Sequence, residues 1–188
     1  MSAQGFVEGI AAAAADSTAL TNTTTATSIL TGTAKPVIPA QTIGKAGKVY
    51  RGRLFGRIST LVTSPGTLTL DVRLGSTIVF NGGAMTLNTI AQTNATFEFE
   101  FLLKVSSVGS GATATILGAG KFTSRAVIGS AAVGAGGAGI LLLPDTAPAV
   151  GTGFDSTIAQ TLDVFGTWSV ASASNSIISH IALIEDTN

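Results

Sequence analysis

"TLTLDVRLGSTIVFNGG", Thr67 to Gly83, alternates with a period of two. Leu68, Leu70, Val72 and Leu74 fall on one face, and Thr67, Thr69, Asp71 and Arg73 on the other. Gly75-Ser76 breaks the run before Thr77-Ile78-Val79-Phe80 resumes it, and Asn81-Gly82-Gly83 supplies a second set of turn residues. This is the pattern of a half-buried antiparallel hairpin. No residue in it is equipped for catalysis, so its role is architectural.

The same pattern extends outward. Strands are predicted at 48–62, 67–74, 76–80, 96–106, 112–122, 139–143, 157–170 and 176–185. The breaks between them are turn chemistry: Ser64-Pro65-Gly66, Asn81-Gly82-Gly83, Gly109-Ser110-Gly111, Pro144-Asp145 and Ser174-Asn175. No stretch here reads as an amphipathic helix. The expected fold is therefore all-β, a two-sheet antiparallel sandwich. A jelly roll leads as topology, and an immunoglobulin-like Greek key stays open. Phe97, Phe99, Phe101, Leu103 and Val105 should share a core face, as should Leu162, Val164, Trp168 and Val170. Ile177, Ile181 and Leu183 are expected to close the last strand inside.

A chain of 188 residues suits one domain with a real core. Only 11% of residues are charged and mean hydropathy is +0.51, which suggests a surface partly covered by other subunits. Zero net charge argues against a general nucleic-acid binder. With no cysteine, disulfides, thiol catalysis and cysteine-ligated metals are excluded. The start "MSAQGFVEGIAAAAADS" has no basic region and carries Glu8, unlike a secretory signal. Ala126 to Pro144 is uncharged, but its Gly/Ala centre makes a poor spanning helix. A glycine loop leading into a short strand, Ile140 to Leu143, is expected instead, with no membrane partner.

Residues 1–47 differ from the rest. An alanine run allows a short helix near 7–15, a Thr-rich run disfavours extending it, and Pro36 and Pro39 punctuate an extended piece. This segment is expected to be an arm, separate from a sandwich at 48–188. Its Ile29, Leu30, Val37 and Ile38 would pack on a neighbouring subunit or capsid protein.

Four constellations carry residue types used in chemistry. "FEFEF" puts Glu98 and Glu100 on one strand face, about 6.5–7 Å apart. Glycosidase carboxylates come from opposite sides of a cleft, so an ion-paired outer face is expected. His180 is the single histidine, and no G-x-S-x-G elbow accompanies it. "GAGGAG", Gly134 to Gly139, formally matches a dinucleotide fingerprint, but "ILLLP" is too short for the required helix. "KVYRGRLFGR" places Arg51, Arg53 and Arg57 on one strand face with Phe55, and Tyr50 opposite. Those arginines suit carboxylates, either of the Glu98/Glu100 face or of a partner subunit. No catalytic, cofactor or metal set emerges.

The Ala/Thr-rich start, "VYRGRLFGRISTLVTSPGTLTLDVRLGSTIVFNGG", "FEFEFLLKVSSVGSGATATILGAGKF" and "TLDVFGTWSVASASNSIISHIALIEDTN" together resemble tailed-bacteriophage virion proteins. Within that group the chain looks most like jelly-roll capsid cement (decoration) proteins. The resemblance implies a non-enzymatic protein on the outer capsid surface that partners itself, as a trimer, and the major capsid protein. Similar domains in tail and fibre proteins imply the alternative, a tail structural or receptor-binding role.

Overall fold

The computed structural model describes residues 7–61, 63–130, 134–135, 139–148 and 150–187. Its strands are β1 (Val7–Ala12), β2 (Leu20–Thr21), β3 (Thr27–Ser28), β4 (Val37–Ile38), β5 (Val49–Thr60), β6 (Thr67–Leu74), β7 (Thr77–Leu87) and β8 (Gln92–Ser107). They continue with β9 (Ala114–Thr123), β10 (Val127–Ser130), β11 (Gly134–Ala135), β12 (Ile140–Leu143), β13 (Val150–Phe154), β14 (Gln160–Trp168) and β15 (Ser176–Thr187). One helical turn, α1, spans Ala40–Ile43.

These strands form two antiparallel sheets face to face, as the alternation predicts. The first runs β1-β15-β5-β8-β9-β12, with β13 also on β9 and β2 on β15; the second runs β11-β10-β7-β6-β14-β3, with β4 on β14. The hairpins β6–β7 and β8–β9 each stay within one sheet, whereas β5–β6, β7–β8 and β14–β15 cross between sheets. Leu68, Leu70, Val72 and Leu74 are buried, as are Phe97, Phe99, Phe101, Leu103, Val105, Leu162, Val164 and Trp168. Val170 lies past the end of β14 and is only half-buried.

The inward face of β5 reads Tyr50, Gly52, Leu54, Gly56, Ile58, so its glycines alternate with large side chains. In register, Gly52 faces Phe101 and Gly56 faces Phe97 on β8. A Cβ on Gly52 would lie 2.1 Å from the Phe101 ring. The glycines of "YRGRLFGRI" thus make room for cross-strand phenyl rings that fill the core.

Three sequence expectations are corrected. Asn81-Gly82-Gly83 is not a turn, because β7 continues to Leu87 and the register of β6 with β7 shifts there. Asn81 Oδ1 accepts the Gly83 N–H at 2.9 Å and Gly83 has a φ of 78°, so turn chemistry serves a β-bulge. A second bulge, between Ser179 and Ile181, reverses the inside of β15. Ile177 stays buried, but beyond the bulge Ala182 and Ile184 point in, and Ile181 is 60% exposed. One extra residue moves every following side chain to the other face.

The third correction concerns the N-terminal segment. Residues 7–12 are a strand, not a helix, and pair with β15 as the edge of the first sheet. β2 continues along β15, after which the chain crosses to the second sheet, where β3 and β4 pair with β14. Leu20, Ile29, Leu30, Ile38 and Ile43 are buried with the core of their own chain. The segment is therefore no free arm; it plugs one side of the sandwich, and of the four proposed contacts only Val37 is exposed. Thr-rich sequence suits strands, and five spaced aliphatics suffice to seal an edge.

β10, β11 and β13 are short strands that the alternation does not mark. Much of "GAGGAG" and the strand end at Val62 lie outside the described residues. Among the described residues no helix is long and apolar enough to cross a membrane.

Candidate interaction face

The outward face of the first sheet gathers most of the residues singled out above. Register sets them in rows: Leu183, Arg53, Glu100, Lys121 and Leu142 lie side by side across β15, β5, β8, β9 and β12. The adjacent row holds Ile181, Phe55, Glu98, Thr123 and Ile140. Alternation on β5 and β8 sets this arrangement, since the residues between these positions face the core.

The charges neutralise one another both along diagonals and between directly opposed residues. Arg51 Nε donates to Glu100 Oε1 at 2.7 Å, and its Nη1 lies 3.9 Å from Glu185 Oε2. Arg53 Nη2 donates to Glu98 Oε1 at 3.3 Å, while its guanidinium sits 5.3 Å from the centre of the Phe55 ring. Lys121 Nζ lies 3.9 Å from both Glu98 Oε2 and Glu100 Oε2. The sequence pairing of the arginine row with the Glu98/Glu100 face is thus made within one chain. Arg57 is exposed, and no ion pair to it is formed among the described residues.

Around this network the face is apolar. Leu102, Ile140, Leu142, Val150 and Ile181 are exposed, Leu142 at 70%. Phe55, Asn94, Thr96, Glu98, Arg125 and Ile140 line an open groove of about 660 Å³, and Glu100, Leu102, Ala119 and Lys121 line a smaller one of about 250 Å³. Sequence reasoning missed Ile181 because of the bulge, and missed Val150 with its strand.

The outward face of the second sheet carries ion pairs of its own, with Ile78 exposed beside them. Arg73 reaches Asp71 through Nε at 2.6 Å and Nη2 at 3.1 Å, and stacks 3.9 Å from the centre of the Phe165 ring. The Asp71 hydrogen bond holds the Arg73 guanidinium above its ordinary pKa. Lys35 pairs with Asp163 at 2.9 Å.

His180 Nδ1 lies 2.9 Å from Asp16 Oδ1. Among the described residues no hydroxyl hydrogen-bonds to this imidazole, and no group of three His, Cys, Asp or Glu side chains could hold a metal.

No protein-family model matches the chain, and no curated protein matches it. Among solved structures it is similar to the CBM2 module of the evolved Dit of Lactobacillus casei BL23 phage J-1. Identity is 14%, the match covers 82% of this chain and 68% of that one, and the TM-score is 0.34. It is also similar to Caenorhabditis elegans galectin LEC-6, with 12% identity over 87% and 94% of the two chains and a TM-score of 0.26. The winged bean acidic lectin, solved with methyl-α-D-galactose, shows 9% identity over 100% and 94% and a TM-score of 0.33. These similarities are distant in both sequence and backbone.

Proposed function

We propose that this chain is a non-enzymatic structural protein of a tailed-phage virion, a capsid cement protein that self-associates on the outer shell. The observation that carries this reading is the outward face of the first sheet. Its carboxylates are already matched by arginine and lysine, so covering it leaves few charges without partners, and its rim of aliphatics gains from burial.

Charge favours a head-to-tail contact between copies. The face carries six cations (Arg51, Arg53, Arg57, Lys104, Lys121 and Arg125) and three carboxylates (Glu98, Glu100 and Glu185). Because the whole chain is neutral, the remaining surface carries the opposite surplus. A face with excess positive charge meeting a different patch of the next copy is a heterologous contact, which gives a ring where the rotation closes; the trimer is what the resemblance to capsid cement proteins implies. Residues 7–43 belong to the fold, so self-association falls to this face and not to an arm.

Purified virions labelled with gold-conjugated antibody to this chain test the reading. Label over the head surface supports a cement role. Label on the tail or its fibres replaces it with the tail reading, and absence of label from virions overturns both.

A further inference from the structure

The larger groove on the outward face of the first sheet holds cations that its own chain leaves unused. Arg57 on β5 and Arg125, just past the end of β9, stand on either side of Thr96 on β8. Both arginines are exposed, and among the described residues neither side chain makes an ion pair or a hydrogen bond. The one carboxylate lining the groove, Glu98, is taken up by Arg53 at 3.3 Å and by Lys121 at 3.9 Å. Phe55 is half-buried and Ile140 is 56% exposed, so apolar surface lies beside the free guanidinium groups. The occupant that fits carries a carboxylate next to an aliphatic side chain; an inorganic anion would leave Phe55 and Ile140 uncovered.

The chain carries that combination at the opposite end of the sandwich. There the 109–111 and 155–157 loops are tied together: the Ser156 N–H donates to the Gly109 carbonyl at 3.0 Å, and the Gly109 N–H to Ser156 Oγ at 2.9 Å. Asp155 is held on these loops by hydrogen bonds from Thr157 and Gly111, and has no cation partner among the described residues. Ile158, three residues on, is 54% exposed. A carboxylate already fixed in place loses little freedom on binding. Glu8 also lacks a cation partner, but no hydrogen bond holds its side chain.

These two patches cannot meet within one chain. Thr96 and Ser107 both lie on β8, and the strand between them is about 36 Å long, with the Asp155 loops beyond Ser107. The patches also differ from each other, so a contact between them joins copies head to tail.

We propose that the Asp155–Ile158 turn of one copy seats in the groove of the next, with its carboxylate between Arg57 and Arg125 and Ile158 against Phe55 and Ile140. This contact rests on the self-association proposed above and gives the cationic face its complement. Sedimentation of the full chain and two variants tests it. Arg57→Glu/Arg125→Glu spoils the groove and leaves the turn intact. Ile158→Lys brings a cation towards the arginines and leaves the Asp155 hydrogen bonds in place. Each variant alone should associate at least tenfold more weakly than the wild-type chain, because like charges are brought together. Mixed one to one, the two should form a dimer and stop there, since only one sound turn and one sound groove remain to meet. Urea midpoints near the wild-type value check that both variants fold, and Arg57→Gln/Arg125→Gln replaces the charge reversal if it misfolds. The proposal is overturned if the wild-type chain stays monomeric up to its solubility limit, if either folded variant associates as the wild type does, or if the mixture forms no dimer. The cement reading is decided separately, by the labelled virions.

Discussion

The indole Nε1 of Trp168 donates to the carbonyl oxygen of Leu20 at 3.1 Å. Trp168 ends β14 in the second sheet, whereas Leu20 begins the short β2 on the edge of the first. The contact joins residues 148 apart in sequence and makes the N-terminal segment a structural partner of the largest core side chain. An indole N–H buried without an acceptor is costly, so the two must fold together.

Deleting residues 1–40 should therefore unfold the protein or leave it insoluble. Any soluble fraction should show red-shifted tryptophan fluorescence, since the deletion removes both the acceptor and the Leu20 and Ile29 side chains. Single substitutions separate the contributions. Ile29→Ala, fully buried, should cost about 2–5 kcal/mol in urea unfolding. Val37→Ala, 64% exposed, should change stability by less than about 0.5 kcal/mol. A truncated chain that melts like the full one would refute this account of the segment.

Gly52→Ala and Gly56→Ala test the packing of β5 against β8. The three atoms nearest to an added methyl at Gly52 all belong to the Phe101 ring, a side chain, and overpacking of this kind costs about 1–3 kcal/mol. Shortening that ring in the double variant Gly52→Ala/Phe101→Leu should recover part of the loss, a non-additivity visible in a denaturation cycle. At Gly56 a Cβ would lie 1.9 Å from the Ile178 carbonyl oxygen, which is backbone. Shrinking Phe97 there should rescue nothing.

Much of this core was legible in advance, because period-two alternation reports directly on a sheet with one buried side. Phe97-Phe99-Phe101 and Leu68-Leu70-Val72-Leu74 needed only that rule. What escaped the rule was a change of phase. Nothing in "SIISHIALIE" marks the extra residue at Ser179–Ile181, since isoleucines stand on both faces and alternation cannot choose between them. The Thr-rich start escaped for a different reason. Strands of two residues carry no period, and their burial is decided by what they cover, a tertiary fact. In the interaction face the charged ladder was readable from "FEFEF" and "YRGRLFGR", because cross-strand neighbours follow from strand faces. Its apolar rim depended on β12, β13 and the β15 bulge, and so on pairing partners.

Asp155 should govern part of the acid sensitivity. Its Oδ1 accepts the Thr157 N–H at 2.7 Å and the Thr157 hydroxyl at 2.6 Å, and Oδ2 accepts the Gly111 N–H at 2.8 Å. These bonds, those from Thr157 first, hold its pKa below the ordinary aspartate value. A depressed folded-state pKa stabilises the protein above the unfolded value, and the stabilisation is lost as pH falls through the folded one. The loss should thus appear below about pH 4. Asp155→Asn should be less stable at neutral pH and show a flatter acid limb in urea titrations. An unchanged acid limb would mean that the 109–111 and 155–157 loops do not depend on this carboxylate.

Glu100→Gln probes the difference between folding and docking. Glu100 contacts Arg51 closely and Lys121 more loosely on the proposed interaction face. All three side chains are partly exposed in the single chain, so water screens the loss of their partner, and folding stability should change by less than about 1 kcal/mol. In an assembly the same face is covered, and Arg51 would be buried with only the distant Glu185 to balance it. An uncompensated charge taken out of water costs several-fold more than a surface pair contributes. Self-association followed by sedimentation should therefore weaken by tenfold or more while the urea midpoint scarcely moves. Glu100→Ala should behave alike, and Arg51→Met paired with Glu100→Met, which removes both charges, should restore much of the association. If Glu100→Gln shifts folding and association equally, or leaves association unchanged, the covered face is elsewhere on the molecule.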